Sequence, residues 1–500
     1  MVEEDCSICC DCGGLEHRLV ANFIAGMDGS GGQAKWNGLS SARSDFSDHL
    51  LYGGIAMLSI QVESTLPLPT IYTVPTPSSV DNERPLFLCS GGETDPILEE
   101  VAAKWDEDFL ELSQDIEVQF GDKTLTFRVN VDLTQLDGKI RKRLEGRGSA
   151  YCLFCLRTLE ESMNIDLIIA GFVMDVDNET LVQCYDALKE EIGTNPDGSK
   201  EYYIDPKLDK ELKMGLTRSP MLHHFDVINN LPALHAKLRF TSFVEIIILR
   251  VGTGWITYFK VKDPVMAKKW KDAEARLRSE SKEFLKWQMY GCQTDTGNVA
   301  RAFFACENRD AACSLFHSEN EDLVTTFRQL VQRFSIILRI YGSKEAINVP
   351  RFEEYLKETY ILLVTKFHFI HLTPTVHALL AHGAEMVRRN DGHGLGTKCE
   401  EGLEGSMKVL RRTREVGSRK NSIPNSHQDI VNKMLVKSFP RCRDFRLAPP
   451  CKVCKQWGHT IRSCPKRGKN EKELTPDDEI IRELIYTDPL EDGVPTSCDF

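Results

Sequence analysis

Cysteines and a histidine near the C-terminal end of the chain have the spacing of a metal site. Cys451, Cys454, His459 and Cys464 follow a C-x2-C-x4-H-x4-C pattern. Three thiolates and an imidazole form a closed four-coordinate ligand set for Zn²⁺. An aromatic ring and basic side chains nearby could stack on bases and contact phosphates: Trp457, Lys452, Lys455, Arg462, Lys466 and Arg467. The motif predicts a zinc knuckle that binds nucleic acid, and a purely structural zinc site is the alternative.

A second set of cysteines and histidines is split between two distant segments. "YCLFC" contains Cys152 and Cys155, and "HALLAH" contains His377 and His382. The spacing within each pair is common in zinc sites. The two pairs could close one zinc site across more than 200 residues of chain. Spacing alone leaves the other interpretation open, in which two cysteines and two helical histidines are buried independently.

Three acidic residues stand where a carboxylate would be exposed at the end of a strand or the start of a helix. They are Asp28 in "MDGSGG", Asp137 in "QLDGKIRKRLEG" and Glu404 in "CEEGLEGSMKVLRR". Three carboxylates can hold two divalent cations that activate water in phosphodiester chemistry. Single acids are common in a chain with 74 of them, and three neighbours are rivals for these roles: Asp132, Glu400 and Glu401.

The N-terminal segment "CSICCDC" is also rich in cysteine. It contains Cys6, Cys9, Cys10 and Cys12, and His17 follows shortly afterwards. These residues could form half of a metal site, and an incidental cysteine-rich terminus explains them equally well.

Length and composition narrow the class of protein. The 500 residues are enough for about three domains, and the 41% hydrophobic content supports packed cores. The 17 cysteines are odd in number and clustered, which favours metal sites or reduced thiols in an intracellular protein over a disulfide framework. The start "MVEEDCSICC" lacks the pattern of a signal peptide. The longest apolar runs are too short to span a bilayer, so we expect no membrane association.

Charge is distributed unevenly along the chain. The net charge is −12, yet residues 401–470 contain 17 lysines and arginines against 5 acidic residues. The last thirty residues are acidic again. A basic stretch that ends in a zinc knuckle predicts a nucleic-acid contact, while the acidic remainder is free to bind metal ions.

Hydrophobic periodicity predicts an α/β region followed by a mainly helical one. Strands are expected at 15–30 and 51–75, a helix over "DPILEEVAAKWDEDFLEL", and a hairpin around Gly121 and Asp122. From about residue 150 to 400 the amphipathic patterns are those of helices.

Several of these motifs, taken in order, resemble one known family. "DGKIRKRLEGRGSAYCLFC", "HALLAHGAEMVRRNDG" and "EEGLEGSMKVLRR" are similar to the core of the catalytic subunit of the V(D)J recombinase. They are also similar to its transposon relatives, the Transib-type and invertebrate RAG-like transposases. The resemblance covers roughly residues 15–440. The upstream end-recognising and dimerising regions of the family have no counterpart in this sequence.

The resemblance assigns roles to individual residues. Asp28, Asp137 and Glu404 match the catalytic carboxylates, which hold two Mg²⁺ or Mn²⁺ ions in the family. Cys152, Cys155, His377 and His382 match the family's four zinc ligands. Arg301, in "TGNVAR", matches less closely and is expected to contact phosphate, and Arg411 and Arg412 are expected to bind DNA. The knuckle resembles the tail of invertebrate members, where it would help to grip the terminal repeats.

The implied fold is a ribonuclease H-like catalytic domain with a long helical zinc-binding insertion and a C-terminal CCHC zinc knuckle. The expected organisation is a cysteine-rich N-terminus (1–14), a catalytic domain (15–145), the insertion (146–400), a basic helical region with the catalytic glutamate (401–440), the knuckle (441–470) and an acidic tail (471–500).

The implied function is that of a nuclear DNA recombinase or transposase. It would nick double-stranded DNA at specific ends and use the freed 3′-hydroxyl for hairpin formation or strand transfer. Family members act as homodimers with an accessory second subunit, and the resemblance implies both partners here. The alternatives are a transposase-derived, zinc-dependent DNA-binding protein without catalysis and, from the knuckle alone, an RNA-binding protein.

Overall fold

The structure of the protein is a computed structural model. It describes residues 18–30, 50–63, 70–74, 76–91, 93–121, 123–148, 152–173, 178–194, 200–208, 214–223, 231–253, 264–281, 297–419, 422–439 and 476–485. The N-terminal cysteines and all the predicted knuckle residues lie outside these ranges. The chain divides into two compact units, the first comprising residues 1–135, 221–228 and 402–438 and the second comprising the remainder.

The first unit is built on a mixed sheet. Its strands are β1 (Arg18–Ser30), β2 (Leu50–Val62), β3 (Thr70–Thr73), β4 (Arg84–Ser90), β5 (Ile116–Phe120) and β6 (Lys123–Leu136). The strand order is β3-β2-β1-β6-β5, and β4 also pairs with β2. The long strands β1 and β2 are antiparallel, with Asp28 opposite Tyr52. The predicted hairpin is confirmed, because β5 pairs with β6 and Gly121 adopts the positive φ of 61° that its tight turn requires.

In the described part of the first unit, the helices are α1 (Asp95–Leu112), α12 (Glu401–Val416) and α13 (Ile423–Ser438). One core cluster joins α12 and α13 to the sheet, since Leu403 and Met407 pack with Leu50 and Tyr52 of β2. The helix α12 is amphipathic, with its buried residues on one face. This packing fixes which strand the helix with Glu404 lies against.

The second unit is mainly helical, as the periodicity predicted. Its first helices are α2 (Gly138–Leu144), α3 (Ile165–Ala170), α4 (Asn178–Leu188), α5 (Ala233–Gly252), α6 (Pro264–Ser281), α7 (Gly297–Phe303) and α8 (Arg309–Ser314). They are followed by α9 (Glu321–Tyr341), α10 (Val349–Lys366) and α11 (Pro374–Arg388). A hairpin of β7 (Glu190–Thr194) and β8 (Lys200–Tyr203) was not expected from the sequence.

The helices α9, α10 and α11 each begin at a capping residue and pack together in one apolar core. Asn320, Asn348 and Thr373 cap them, each accepting a hydrogen bond from a backbone N–H of the first turn. Buried residues of all three helices belong to one large cluster that also contains the inner face of α5. This core surrounds the segment that carries the two histidines.

Part of the predicted acidic tail is a packed helix, α14 (Pro476–Ile485). Leu484 is buried in the helical core, and Ile480, Ile481 and Ile485 pack against it. Asp477 is fully buried and paired with Arg309, and it accepts a hydrogen bond of 2.8 Å from Gln332. The acidic composition of this segment gave no indication in the sequence that one face of the helix is apolar and buried. None of the described helices is both long and apolar enough to cross a membrane.

Candidate metal centre

The two Cys/His pairs predicted from distant segments form one cluster in the second unit. The ligand atoms of Cys152, Cys155, His377 and His382 all lie within 4.8 Å of one another. Cys155 Sγ and His377 Nε2 are 3.3 Å apart. Independent burial of two pairs would not bring four ligand atoms to a single point, so the geometry favours the joint site that could bind a metal such as zinc.

A tight turn presents the two cysteines. The backbone N–H of Phe154 donates to Cys152 Sγ over 3.4 Å, and Leu156 leaves the turn with a positive φ of 60°. The N–H of Cys152 donates to the carbonyl oxygen of Arg157 at 2.9 Å and closes the loop. Cys152 is 1% exposed, so its sulfur points into the protein rather than to solvent.

The helix α11 presents the two histidines inside the core. Tyr360 Oη donates to the carbonyl oxygen of Ser162 at 2.7 Å and lies 2.6 Å from His377 Nδ1. Because its own proton is used on Ser162, the hydroxyl accepts from Nδ1–H of His377. This fixes the tautomer whose Nε2 lone pair faces the cysteines, the usual arrangement around a histidine that ligates a metal.

The second histidine is the strongest sign that the cluster fits a metal. His382 is 1% exposed, and neither of its ring nitrogens has a hydrogen-bond partner in the described part of the chain. Buried polar atoms rarely lack partners in folded proteins. A tetrahedral Zn²⁺ coordinated at about 2.0–2.3 Å by two sulfurs and two nitrogens would satisfy this side chain.

The protonation states of the cluster suit a divalent cation. Burial alone would raise the pKa of Cys152, but the neighbouring Cys155 thiol and the His377 and His382 imidazoles bring it well below its ordinary value. The hydrogen bond to Cys152, together with burial, raises the pKa of Cys155. Burial also lowers the pKa of His382 and keeps its imidazole neutral. Zinc binds to thiolates and to neutral imidazoles, so its binding to these four side chains would release any thiol protons still present.

Tyr360→Phe is expected to weaken zinc binding about 10- to 100-fold, because the His377 tautomer loses its fixed partner. The measurement is competition for zinc against a chromophoric chelator. Tyr355→Phe is the matched control, since Tyr355 lies on the same helix and its ring contacts the Arg333 guanidinium. Equal affinities of the two variants would contradict the role given to the Tyr360 hydroxyl.

Buried charged side chains hold the cysteine turn in place through hydrogen bonds. Arg147 donates to the carbonyl oxygen of Leu153 at 2.6 Å and to Glu145 at 3.1 Å. Arg141 donates to the other oxygen of Glu145 at 2.7 Å, and its guanidinium lies 4.8 Å from the centre of the Phe154 ring. Arg141 belongs to α2, so this network joins the cysteine turn to the helix that begins directly after Asp137.

Asp137 caps the helix α2. Its Oδ1 accepts hydrogen bonds from the backbone N–H groups of Lys139 at 2.9 Å and Ile140 at 2.6 Å. A carboxylate used in this way is held in one orientation. The residue comes immediately after β6, which is a neighbour of β1 in the sheet.

Within the first unit, Asp28 and Glu404 are carried by two elements that both contact β2. Asp28 lies on β1 opposite Tyr52 of β2, and Tyr52 packs with Leu403, the residue before Glu404. Glu404 is exposed on α12 and makes no hydrogen bond or ion pair with the described residues. The strand with Asp28 and the helix with Glu404 thus share β2 as a neighbour, whereas Asp137 is assigned to the second unit.

The rival acids have structural partners. Glu400 is buried and accepts from the backbone N–H of His235 at 2.9 Å, with His235 Nδ1 at 3.1 Å from the same oxygen. Glu401 is paired with Arg301, the residue expected to contact phosphate. Asp132 is half-buried within β6. Arg411 and Arg412 lie on α12, where Arg412 is exposed.

One acid near Asp28 was missed by sequence reasoning. The side chain of Glu93 lies so close to Gly29 that a Cβ at this glycine would collide with it. Glu93 therefore lies beside the residue that follows Asp28. Its setting in "SGGETDP" is that of an ordinary loop acid, and only the pairing of β4 with β2 brings it to this place.

Comparison with known proteins adds no assignment: no protein-family model matches the chain, and no curated protein matches it significantly.

Proposed function

We propose that the protein is a metal-dependent DNA recombinase or transposase of the DDE type. The observation that carries the proposal is the packing of α12, with its exposed Glu404, on the strand that pairs with Asp28. Carboxylates are the ligands that such divalent cations prefer, and these two acids lie on a strand and on a helix that contact the same neighbouring strand. The family resemblance supplies the reaction, and the packing supports it.

The proposed catalytic fold is ribonuclease H-like. Support comes from the long antiparallel strands β1 and β2 and from β6, which lies on the other side of β1 and leads into Asp137. The helix with Glu404 is separated from these strands along the chain by the mainly helical segment with the Cys/His cluster. That order is the one expected for a catalytic domain interrupted by a zinc-binding insertion.

In this proposal Asp28, Asp137 and Glu404 hold two Mg²⁺ or Mn²⁺ ions, and Glu93 is placed to assist Asp28. The ions would supply activation of water and stabilisation of the leaving oxygen. Asp137 would contribute the oxygen that does not cap α2, held in place by the capping bonds of the other. After the first nick, the freed 3′-hydroxyl would attack a second phosphodiester and give a hairpin or a strand-transfer product.

The Cys/His cluster would have a structural role in support of the proposed carboxylate site. Zinc would tie α11 to the turn that rests on α2, and so would stabilise the segment that starts with Asp137. The basic face of α12, with Arg411 and Arg412, and the predicted knuckle would hold double-stranded DNA. A homodimer, an accessory subunit and a nuclear location complete the proposal by resemblance.

The test is nicking of supercoiled plasmid by zinc-loaded protein with Mn²⁺, comparing the parent with Glu404→Gln. We expect the parent to nick the plasmid and the variant to nick it on the order of 10³-fold more slowly, because the variant lacks one proposed ligand of the metal ions. Glu404 makes no other interaction with the described residues, so the substitution should not disturb the fold. Glu415→Gln, an exposed acid on the same helix, is the control for the change of charge. If no metal supports nicking while duplex DNA is bound, the chain is a DNA-binding protein derived from a transposase.

A further inference from the structure

A buried carboxylate joins the start of α5 to the residue that precedes α12. Glu400 comes directly before α12 and is 3% exposed. Its Oε1 accepts a hydrogen bond of 2.9 Å from the backbone N–H of His235, and His235 Nδ1 lies 3.1 Å from the same oxygen. His235 belongs to the first turn of α5. The contact therefore connects two residues that are 165 positions apart in the chain.

The first turn of α5 lacks a side-chain cap from its own segment. Its N-cap residue is Pro232, whose side chain has no hydrogen-bond acceptor, and no side-chain capping bond forms there. The N–H groups of a first helical turn have no acceptor within the helix and need one from elsewhere. Glu400 supplies such an acceptor from a distant segment, at the end of the helix where the dipole favours a negative charge.

The contact keeps Glu400 ionised although it is buried. Burial alone would raise the pKa of Glu400, but the hydrogen bonds from the His235 side chain and backbone bring it below its ordinary value. An ionised carboxylate can only accept hydrogen bonds, so Nδ1 of His235 carries the proton in this pair. Hydrogen bonds to a charged acceptor are stronger than those between neutral groups, and a buried one is costly to lose.

The residues on either side of Glu400 are also held by the second unit. Cys399 is buried in its large apolar cluster, and Glu401 is paired with Arg301 of α7. The side chains of that ion pair are 44% and 39% exposed, and ion pairs in such settings contribute little. Glu400 is the buried acid of the two, so its contact is the one expected to hold the start of α12.

We infer that Glu400 is a positioning residue, because its carboxylate caps α5 and thereby fixes the place where α12 begins. Glu404 lies four residues after Glu400, in the first turn of α12. A displacement of the start of this helix would therefore move a proposed metal ligand. The consequence for catalysis rests on the proposed function, but the cap itself does not.

The experiment compares Glu400→Ala and Glu400→Gln in the full zinc-loaded chain. Ala removes the acceptor, whereas Gln keeps a carbonyl oxygen that can accept from the His235 N–H. We expect the His235 amide and the α12 amides to exchange hydrogen at least about tenfold faster in the Ala variant and within about threefold of the parent in the Gln variant. The Mn²⁺ concentration for half-maximal nicking should rise at least about tenfold for Ala and no more than about threefold for Gln. Glu415→Ala, which removes an exposed acid of α12, should match the parent in every readout.

Each other outcome overturns a stated part of the inference. Unchanged exchange of the His235 amide in the Ala variant would show that Glu400 does not cap α5. Faster exchange at His235 with unchanged exchange in α12 would show that the cap does not fix this helix. If Gln behaves like Ala, accepting a hydrogen bond is not what Glu400 contributes. Faster exchange in both helices with an unchanged Mn²⁺ requirement removes the positioning role.

A second pair of variants applies if Glu400→Ala does not fold. His235→Ala and His235→Asn both keep the backbone bond to Glu400, and Asn alone retains a side-chain donor. His235→Ala should shift α12 exchange and the Mn²⁺ requirement at least about threefold in the same directions, and His235→Asn should stay near the parent. Equal behaviour of these two variants would contradict the inference. If the parent does not nick, the proposed function fails, and hydrogen exchange alone decides whether the cap holds α12.

Discussion

Asp137→Asn is expected to reduce Mn²⁺-dependent nicking on the order of 10³-fold while leaving the stability of the protein close to that of the parent. Asparagine caps a helix about as well as aspartate, so the bonds to Lys139 and Ile140 remain. The amide lacks the negative charge with which the proposed site holds a divalent cation. Nicking of supercoiled plasmid and thermal unfolding of the same preparations measure the two effects separately.

Asp137→Ala gives the matched comparison. It should lose the same activity and also about 1 kcal/mol of stability, because α2 loses its cap. If Asp137→Asn nicks at more than about a tenth of the parental rate, Asp137 is a structural cap and not a metal ligand. If the two variants are equally unstable, the capping role is wrong.

Replacing Cys155 with serine is expected to remove zinc from the cluster and to destabilise the helical unit by about 4 kcal/mol or more under zinc-saturating conditions. The reason is that a metal ion bound only by the folded state adds its binding free energy to the stability of the fold. Here the ion would join Cys155 and His377, which are 222 residues apart in the chain. Without zinc, the two ring nitrogens of His382 would also stay buried and unpaired. Metal content by mass spectrometry and the unfolding midpoint measure both consequences.

Cys313→Ser is the control for the loss of a buried thiol. Cys313 is buried in the same core but lies outside the cluster, so its replacement should leave the zinc content unchanged. A Cys155→Ser protein with one full equivalent of zinc and the parental midpoint would show that the cluster is not a metal site.

The sequence predicted correctly those helices and strands whose local hydrophobic pattern matches the surroundings in which they are packed. The helix α1 matches the predicted run because Pro96 stands at its start, and Leu98, Trp105 and Phe109 recur on one buried face. The cysteine pair and the histidine pair could also be recognised in the sequence, since the spacing within each pair reflects local geometry. What spacing could not supply was their convergence, which depends on the packing of α10 and α11 around the cysteine turn.

Features that depend on distant packing escaped prediction. The sequence predicted only an acidic tail over residues 471–500, whereas Asp477 of α14 is buried, paired with Arg309 and hydrogen-bonded by Gln332. Glu83 and Glu93 are unremarkable loop acids in the sequence, and only the sheet and α12 give them their environments. The β7–β8 hairpin is short and lies within a stretch whose overall pattern is helical.

Metal-directed cleavage of the polypeptide tests the central proposal most directly. Fe²⁺ with ascorbate, added to zinc-loaded protein, generates radicals that cut the chain close to the bound ion. We expect cuts near Asp28, Asp137 and Glu404 together, all suppressed by excess Mn²⁺ and all lost in Asp137→Asn. Cuts at only one of these positions, or cuts that Mn²⁺ does not suppress, would show that the three carboxylates do not form one metal site.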